Sequence, residues 1–385
     1  MSLVIVGLSG GVDSAVAAHR LIQAGHTVEG LFMFNWAEDE TGYCQAADDF
    51  KAAQAVADHL GIVLHRADFS QAYLDRVFQH FLDEYAAGRT PNPDLLCNRE
   101  IKFAPFREHA LRLGADAVAT GHYAATRNGL LYRAVDENKD QTYFLALVRS
   151  EQLQQVVFPL ADLPKSEVRA IAASIGLPNH DRKDSTGICF IGERNFADFL
   201  AGHLDDQPGP ICDESGRQIG EHRGLWRFTI GQRKGLGIGG VKGASESPWF
   251  VCGKQPDNRT LLVTQDREHP VLSGKVLIAA DVNWIGEAPV LPTRLQARIR
   301  HRQPLMNCQV ASLPDTPSRL HVQFDQPPWA IAPGQYIVFY DGPRCLGGAA
   351  DAVPLPPQSP AAAHASKVRT RRHIWRMQAA TTSRV

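Results

Sequence analysis

Along the first third of the chain, apolar runs short enough for strands alternate with stretches whose apolar residues recur at helical spacing. Leu3 to Leu8 is almost wholly apolar and reads as a strand, Val12 to Ala24 as a helix closed by Gly25, and Thr27 to Phe34 as a second strand. The pattern then predicts a helix from about Gln45 to Leu60, a strand around Val63 to Ala67, and helices from Gln71 to Ala87 and Arg99 to Leu113. A short strand from Asp116 to Thr120 follows and runs into Gly121 and His122. Such alternation implies right-handed crossovers and an α/β domain built on a doubly wound parallel sheet, covered on both faces. Its ligand is expected at the carboxyl ends of the strands.

Further on the pattern is mixed. Arg127 to Arg133 sets Asn-Gly between short apolar runs and predicts a hairpin; Lys165 to Ile175 predicts a helix ending at Gly176. Beyond about Asp205, short β-branched or aromatic runs dominate: Leu225 to Ile230, Trp249 to Cys252 and Thr260 to Thr264. Another series, Lys275 to Val282, Arg294 to His301, Arg319 to Phe324 and Gln335 to Tyr340, predicts a C-terminal β-barrel. The expected domains are 1–205, a small central β-rich domain over 206–275, and a barrel over 276–350. Residues 351–385, Pro/Ala-rich and then basic, are expected to be a disordered, solvated tail.

Composition narrows the classes. A net charge of -1 over 385 residues excludes a globally basic nucleic-acid binder, so any such surface must be a local patch. No apolar stretch approaches a membrane span, and the N-terminus lacks a basic-then-apolar leader, so a cytoplasmic protein without a membrane partner is expected. The seven cysteines, at 44, 97, 189, 212, 252, 308 and 345, are odd in number, scattered, and never spaced Cys-x-x-Cys. That spacing argues against a disulfide framework and offers no local metal knuckle.

Candidate chemistry begins where the first strand stops, in LVIVGLSGGVDS. Gly10 and Gly11 allow positive φ and let peptide N–H groups approach an anion, and Asp13 and Ser14 open a helix whose N-terminal dipole favours negative charge. For a lone Gly-Gly pair a plain strand-to-helix turn would be by far the better explanation; SGGVDS after the first strand is far more specific. The Walker pattern GxxxxGK[ST] is absent. Two further segments, TPNPDLLCNREIKF and DSTGICFIGERNF, place Cys97 and Cys189 in what read as loops, with Arg99, Lys102 and Arg194 near enough in sequence to favour a thiolate.

SGGVDS after a first strand resembles the pyrophosphate loop of the N-type ATP pyrophosphatase superfamily, whose members cleave ATP between the α and β phosphates and adenylate a carbonyl oxygen. With GLFMFNW, TPNPDLLCNREIKF, ATGHYA, DENKDQTYFL and DSTGICFIGERNF in that order, the chain is similar to the bacterial tRNA-specific 2-thiouridylase family over roughly residues 1–350. The resemblance implies ATP-dependent thiolation of the wobble uridine at C2, with Mg²⁺, a persulfide sulfur brought by a sulfur-relay donor protein, a tRNA anticodon stem-loop as partner, and a monomer. It implies that Gly7, Leu8, Ser9, Gly10, Gly11, Val12, Asp13, Ser14, Met33 and Gly121 contact ATP. Asn92, Pro93 and Asp94 would receive the target base, while His122, Lys139, Asp140, Gln141, Arg300, His301 and Gln335 would touch tRNA. Cys97 would be the catalytic thiol and Cys189 the persulfide carrier, the two closing a transient disulfide.

Asp94 is the nearest candidate general base, and an Asx-turn cap after Pro93 is an equal alternative. Arg298, Arg300 and Arg302 would share one strand face and, with Arg227, Arg233 and Lys234, could meet phosphates; a solvated edge explains them equally well. Phe34 stands where the family usually has lysine, and the tail after about Asp351 has no counterpart in it. An amidating synthetase on the same loop is the competing expectation and would need neither cysteine. A non-catalytic binding protein would tolerate loss of Gly10, Gly11 or Asp13, all of which are intact.

Overall fold

A computed structural model of the chain describes residues 1–36, 45–184, 196–239, 243 and 245–354. Strands β1 (Leu3–Gly7), β2 (Thr27–Phe34), β3 (Leu64–Asp68) and β4 (Ala117–Ala119) are joined by crossovers that include helices α1 (Val12–Gln23) and α2 (Gln45–Leu60). After the hairpin β5 (Ala124–Arg127) and β6 (Leu130–Arg133), β7 (Val156–Val157) completes a five-stranded sheet in the order β3-β2-β1-β4-β7, every pair parallel. Alternation along β1 explains the two-sided burial. Val4 and Val6 enter the core under α1 and α2, while Ile5 joins Leu31, Val118 and the aromatic cluster of Tyr73, Phe81 and Phe106 on the other face.

The chain runs outward from β1 to β2 and β3, then returns to the opposite side of β1 as β4. The switch point therefore lies between the carboxyl ends of β1 and β4, where a doubly wound sheet opens a crevice.

Two β-rich units follow. β8 (Gly209–Cys212), β9 (Gln218–His222), β10 (Phe250–Gln255) and β11 (Thr260–Thr264) form a four-stranded sheet. β12 (Val276–Trp284), β13 (Thr293–Arg298), β14 (Met306–Leu313), β15 (Thr316–Phe324), β16 (Ile337–Asp341) and β17 (Arg344–Pro354) close into a six-stranded antiparallel barrel through the β12–β17 pairing. The Asn128-Gly129 hairpin forms as expected, both residues at positive φ (53° and 74°). Its second strand also pairs with the barrel, Leu131 opposite Cys345 and Tyr132 opposite Arg344. The N-terminal domain thus lends the barrel sheet an extra hairpin.

Three local expectations need correction. Leu225–Arg227 is a 3₁₀ turn rather than a strand, because Trp226 Nε1 donates to Asp205 O (3.3 Å) and Arg227 pairs with Asp206 (2.8 Å). The Cys97 segment is helical from Pro93: Asn92 caps it by accepting the Asp94 N–H (3.2 Å), and proline sits at the first helical position, where its missing N–H costs nothing. β13 ends at Arg298, and residues 299–303 turn, with Gln303 Oε1 accepting the Ile299 N–H (3.1 Å) and Arg302 at φ 65°.

Candidate active site at the sheet switch point

Gly10 leaves β1 at φ 76°, and a Cβ there would lie 2.5 Å from Asp49 O. Gly11 differs: it is extended (φ -84°, ψ 159°), and an added Cβ would meet only Ser9 Oγ at 3.3 Å. The fold requires glycine at position 10. At position 11 it leaves open space over the first turn of α1, the room an approaching phosphate uses. Across the switch point, a Cβ on Gly121 would lie 2.7 Å from Ser14 N, so β4 runs its backbone directly against the head of α1. Ser14 Oγ bonds Gly11 O (3.0 Å) and accepts the Ser9 N–H (3.2 Å), closing the loop on itself. Leu8 and Val12 are buried beneath it, and Met33 lies at the end of β2 in register with Ala67.

A charged cluster surrounds Asp13. Its carboxylate accepts from Tyr123 Oη (2.9 Å) and Lys165 Nζ (2.5 Å). Burial and the Asp13 charge hold the Tyr123 phenol well above its usual range, so it remains a donor. Lys165 also reaches Asp184 (2.8 Å), which receives Lys139 (2.8 Å) and Arg169 (2.7 Å) as well. Burial opposes ionisation of Asp184, but the bonds from Lys139 and Lys165 outweigh it and hold the carboxyl well below the ordinary range. Asn179 Nδ2 (2.8 Å) and Arg182 (3.1 Å) both donate to Gly10 O, and Arg182 pairs with Asp49. Residues 179–184, which lead toward Cys189, are therefore tied to the glycine corner.

Cys97 is 1% exposed, in a helix that continues through Asn98–Phe106 with wider π-type turns. It bends at Phe103 and Ala104, before Pro105, whose ring excludes regular helix in the preceding residue. The far end packs under the glycine corner, a Gly7 Cβ position lying 3.2 Å from the Phe106 ring. Arg99, expected beside the thiol, pairs instead with Glu100 (2.6 Å), two positions along a helix being on different faces. His122 meets Thr120 Oγ1 (2.7 Å) against the rings of Phe103 and Phe158; burial, with Lys102, holds its pKa well below the usual histidine range. Cys189 and Arg194 lie outside the described residues.

The remaining expected RNA contacts sit where the three domains meet. Thr90 N donates to Pro333 O (2.9 Å), Thr90 O accepts from Gln335 Nε2 (2.6 Å), and the Thr90 and Thr229 hydroxyls are 3.1 Å apart. Arg300 donates to Ala330 O (2.8 Å), and His301 packs on Phe144 at 4.4 Å between centroids. Phe144 O accepts from Asn98, the neighbour of Cys97 (2.9 Å). Burial, then Arg302 and Arg298, push His301 down to about 4. Asp140 is 1% exposed, and Arg298 and Arg227 are occupied by carboxylates, while Arg233 and Lys234 face solvent. The strand face of three arginines does not exist: Arg298 ends β13 pointing inward, and Arg300 and Arg302 belong to the turn.

Three family models match in series: a tRNA methyl transferase HUP domain over residues 2–193, a tRNA methyl transferase PRC-barrel domain over 197–265, and an aminomethyltransferase beta-barrel domain over 274–350. The chain is 56% identical over 351 residues to a tRNA-specific 2-thiouridylase of Alcanivorax borkumensis, covering 90% of this chain and 96% of that one. It belongs to the tRNA-specific 2-thiouridylase family. The Acinetobacter baylyi 2-thiouridylase is 49% identical, over 90% of this chain and 95% of its own. Among solved structures, the U34-tRNA thiolase NcsA of Methanococcus maripaludis, described with its 4Fe-4S cluster, aligns over 49% of this chain and 61% of its own at 20% identity and a TM-score of 0.33.

For this 2-thiouridylase-family chain, Tyr123, Lys165, Asn179, Arg182 and Asp184 are candidate-site residues that sequence reasoning missed. The first four reach the glycine corner from more than a hundred residues away and Asp184 joins through Lys165, and no local spacing signals that. Among the described residues no group of three or more His, Cys, Asp or Glu side chains could hold a metal, and no helix is long and apolar enough to cross a membrane.

Proposed function

We propose that this chain thiolates C2 of the wobble uridine in tRNA anticodons, with ATP as activating substrate. The uridine C2 oxygen attacks the α-phosphate, pyrophosphate leaves, and the adenylated oxygen becomes a leaving group. Loop residues Gly7 to Ser14 cradle the phosphates, with Met33 and Gly121 bordering the nucleotide. Lys165 and Arg182 stand beside the loop, each paired with carboxylates, Lys165 with Asp13 and Asp184 and Arg182 with Asp49, and would reach the phosphates by exchanging those partners. Mg²⁺ would neutralise phosphate charge; Asp13, the carboxylate at the head of α1, would hold it by exchanging its Lys165 contact for the ion, which phosphates would otherwise ligate.

Sulfur comes from a persulfide on Cys189, loaded by a sulfur-relay donor. Its terminal sulfur attacks C2, AMP departs, and Cys97 attacks the Cys189 sulfur, freeing the thiouridine and leaving a Cys97–Cys189 disulfide. In the alternative order, Cys97 first releases hydrosulfide, which then attacks C2. Both routes spend the two thiols' electrons, and a cellular reductant restores them. Asn92, Pro93 and Asp94 receive the base, Asp94 serving as base for a uridine or thiol proton; His122, Lys139, Gln141, Arg300, His301 and Gln335 border the tRNA path.

One observation supports this most directly. The segment leading to Cys189 is tied to Gly10 by Asn179 and Arg182, while the helix bearing Cys97 ends against Gly7. Residues 179–184, which precede Cys189, and the Phe106 end of the Cys97 helix thus meet at the same corner. The test is nucleoside mass spectrometry of tRNA incubated with the protein, ATP, Mg²⁺ and a persulfide donor. 2-Thiouridine with AMP formation is expected; an amidated or methylated product, or none, overturns the proposal.

A further inference from the structure

The stretch Lys139-Asp140-Gln141 sends three side chains to three places. Lys139 holds Asp184. Gln141 exchanges two bonds with the Tyr123 backbone, its Oε1 accepting and its N–H donating, both at 2.9 Å, and Tyr123 reaches Asp13. Asp140 turns the other way, into the boundary with the barrel. There its carboxylate accepts Thr142 Oγ1 (2.9 Å) and Arg298 Nη2 (2.9 Å). The Arg298 guanidinium lies 4.8 Å from the Tyr340 ring centroid, and the Tyr340 hydroxyl meets Thr142 Oγ1 at 3.2 Å, closing a ring of four side chains. The Asp140 side chain is fully buried and that of Arg298 is 4% exposed.

Stability alone does not call for such a pair. Desolvating two charges offsets most of their attraction, and apolar residues of similar volume hold an interface as well. What a buried ion pair adds is direction: Arg298 is held at one angle at the head of the turn in which Arg300 bonds Ala330 O, His301 packs on Phe144 and Arg302 is exposed.

We propose that Asp140 and Arg298 are positioning residues for the thiolation reaction. Their ion pair fixes the Arg300–His301 turn in register with the segment that supports Asp13, so that a polynucleotide on the turn is aligned with the nucleotide corner and Cys97. The inference rests on the function proposed above, and its test includes a readout independent of that function.

Full-length Asp140→Asn, Arg298→Gln and the apolar double variant Asp140→Leu/Arg298→Met are compared with wild type in thermal unfolding, ATP binding, thiolation kinetics and amide hydrogen exchange over residues 296–303. The single variants should unfold at lower temperature, and the double variant should regain part of that loss because Arg298 is no longer left without Asp140, while Arg133, 3.8 Å from Asp140, keeps only its exposed partner Glu137. All should bind ATP within about twofold of wild type, while thiolation kcat in the double variant stays at least about tenfold down, as misplacement of a bound substrate requires. Exchange at residues 299–303 should accelerate in every variant that folds. A double variant that regains its wild-type rate along with its stability, or a turn whose exchange is unchanged, overturns the inference. A wild-type protein that makes no 2-thiouridine counts against the proposed function, and the exchange result then decides the pair alone.

Discussion

The glycine corner and the arginine turn both carry a sequence signal for phosphate, and they differ in what they keep for a ligand. At the corner the fold fixes Gly10 by a positive φ and a backbone clash, yet leaves Gly11 uncovered. At the turn the first two arginines are consumed internally, Arg298 by Asp140 and Arg300 by the Ala330 carbonyl. A motif whose residues are chosen for backbone geometry declares its use locally. A cation on a strand does not, because its partner is chosen by tertiary packing.

The largest effect expected from breaking the comparison is at the chemistry that the corner serves. Cys97→Ser should reduce thiolation to background with ATP binding retained; near-normal product would remove the two-thiol scheme, and Cys189→Ser is expected to match it. Next come the two glycines. Gly10→Ala should destabilise by about 1–3 kcal/mol through the φ it must adopt and the Asp49 clash, whereas Gly11→Val should cost less than about 1 kcal/mol and still abolish AMP formation. Denaturation and AMP release read the two effects separately, and equal destabilisation would erase the distinction.

A smaller effect belongs to His301. Its folded pKa lies below the unfolded value near 6.5, so the unfolded state takes up the proton first as pH falls from about 6.5 toward about 4, and stability is lost across that window. His301→Phe should remove about 1 kcal/mol of that acid-induced loss, the half-buried ring being partly screened. Melting curves for both proteins that stay parallel from neutral pH down to the acid limit would contradict this. Smallest is the salt term. Replacing Arg233, Lys234 or Arg302 should each flatten the log affinity–log salt slope for tRNA by roughly 0.7–0.9; replacing Arg298 should leave the slope alone.

The parallel sheet and the barrel were legible because strand and helix periods persist over whole elements. So was the corner. The switch point was not, since strand order is set by tertiary pairing. The Cys97 segment was misread as a loop although Asn92-Pro93 carries a cap and a proline at the first helical position; its punctuation outweighed its helix-start signal. Leu225 to Ile230 has strand composition, but the indole bond of Trp226 and the Asp206 pair of Arg227 set the backbone instead. Asp140 and Arg298 are 158 positions apart, and neither neighbourhood hints at the other. Phe34 packs against Phe32 and Phe50 with the Arg66 guanidinium 4.9 Å from its ring, so the cation at this strand end comes from the adjacent strand.

The hairpin that crosses from the first domain to β17 has a practical consequence for anyone hoping to dissect the molecule. A fragment ending near residue 205 would carry β6 with a bare edge at Leu131 and Tyr132, its peptide groups stripped of the neighbour they have in the whole chain. Such a fragment is expected to self-associate rather than behave as a minimal enzyme. Modularity visible in the order of segments does not extend to parts that can be lifted out.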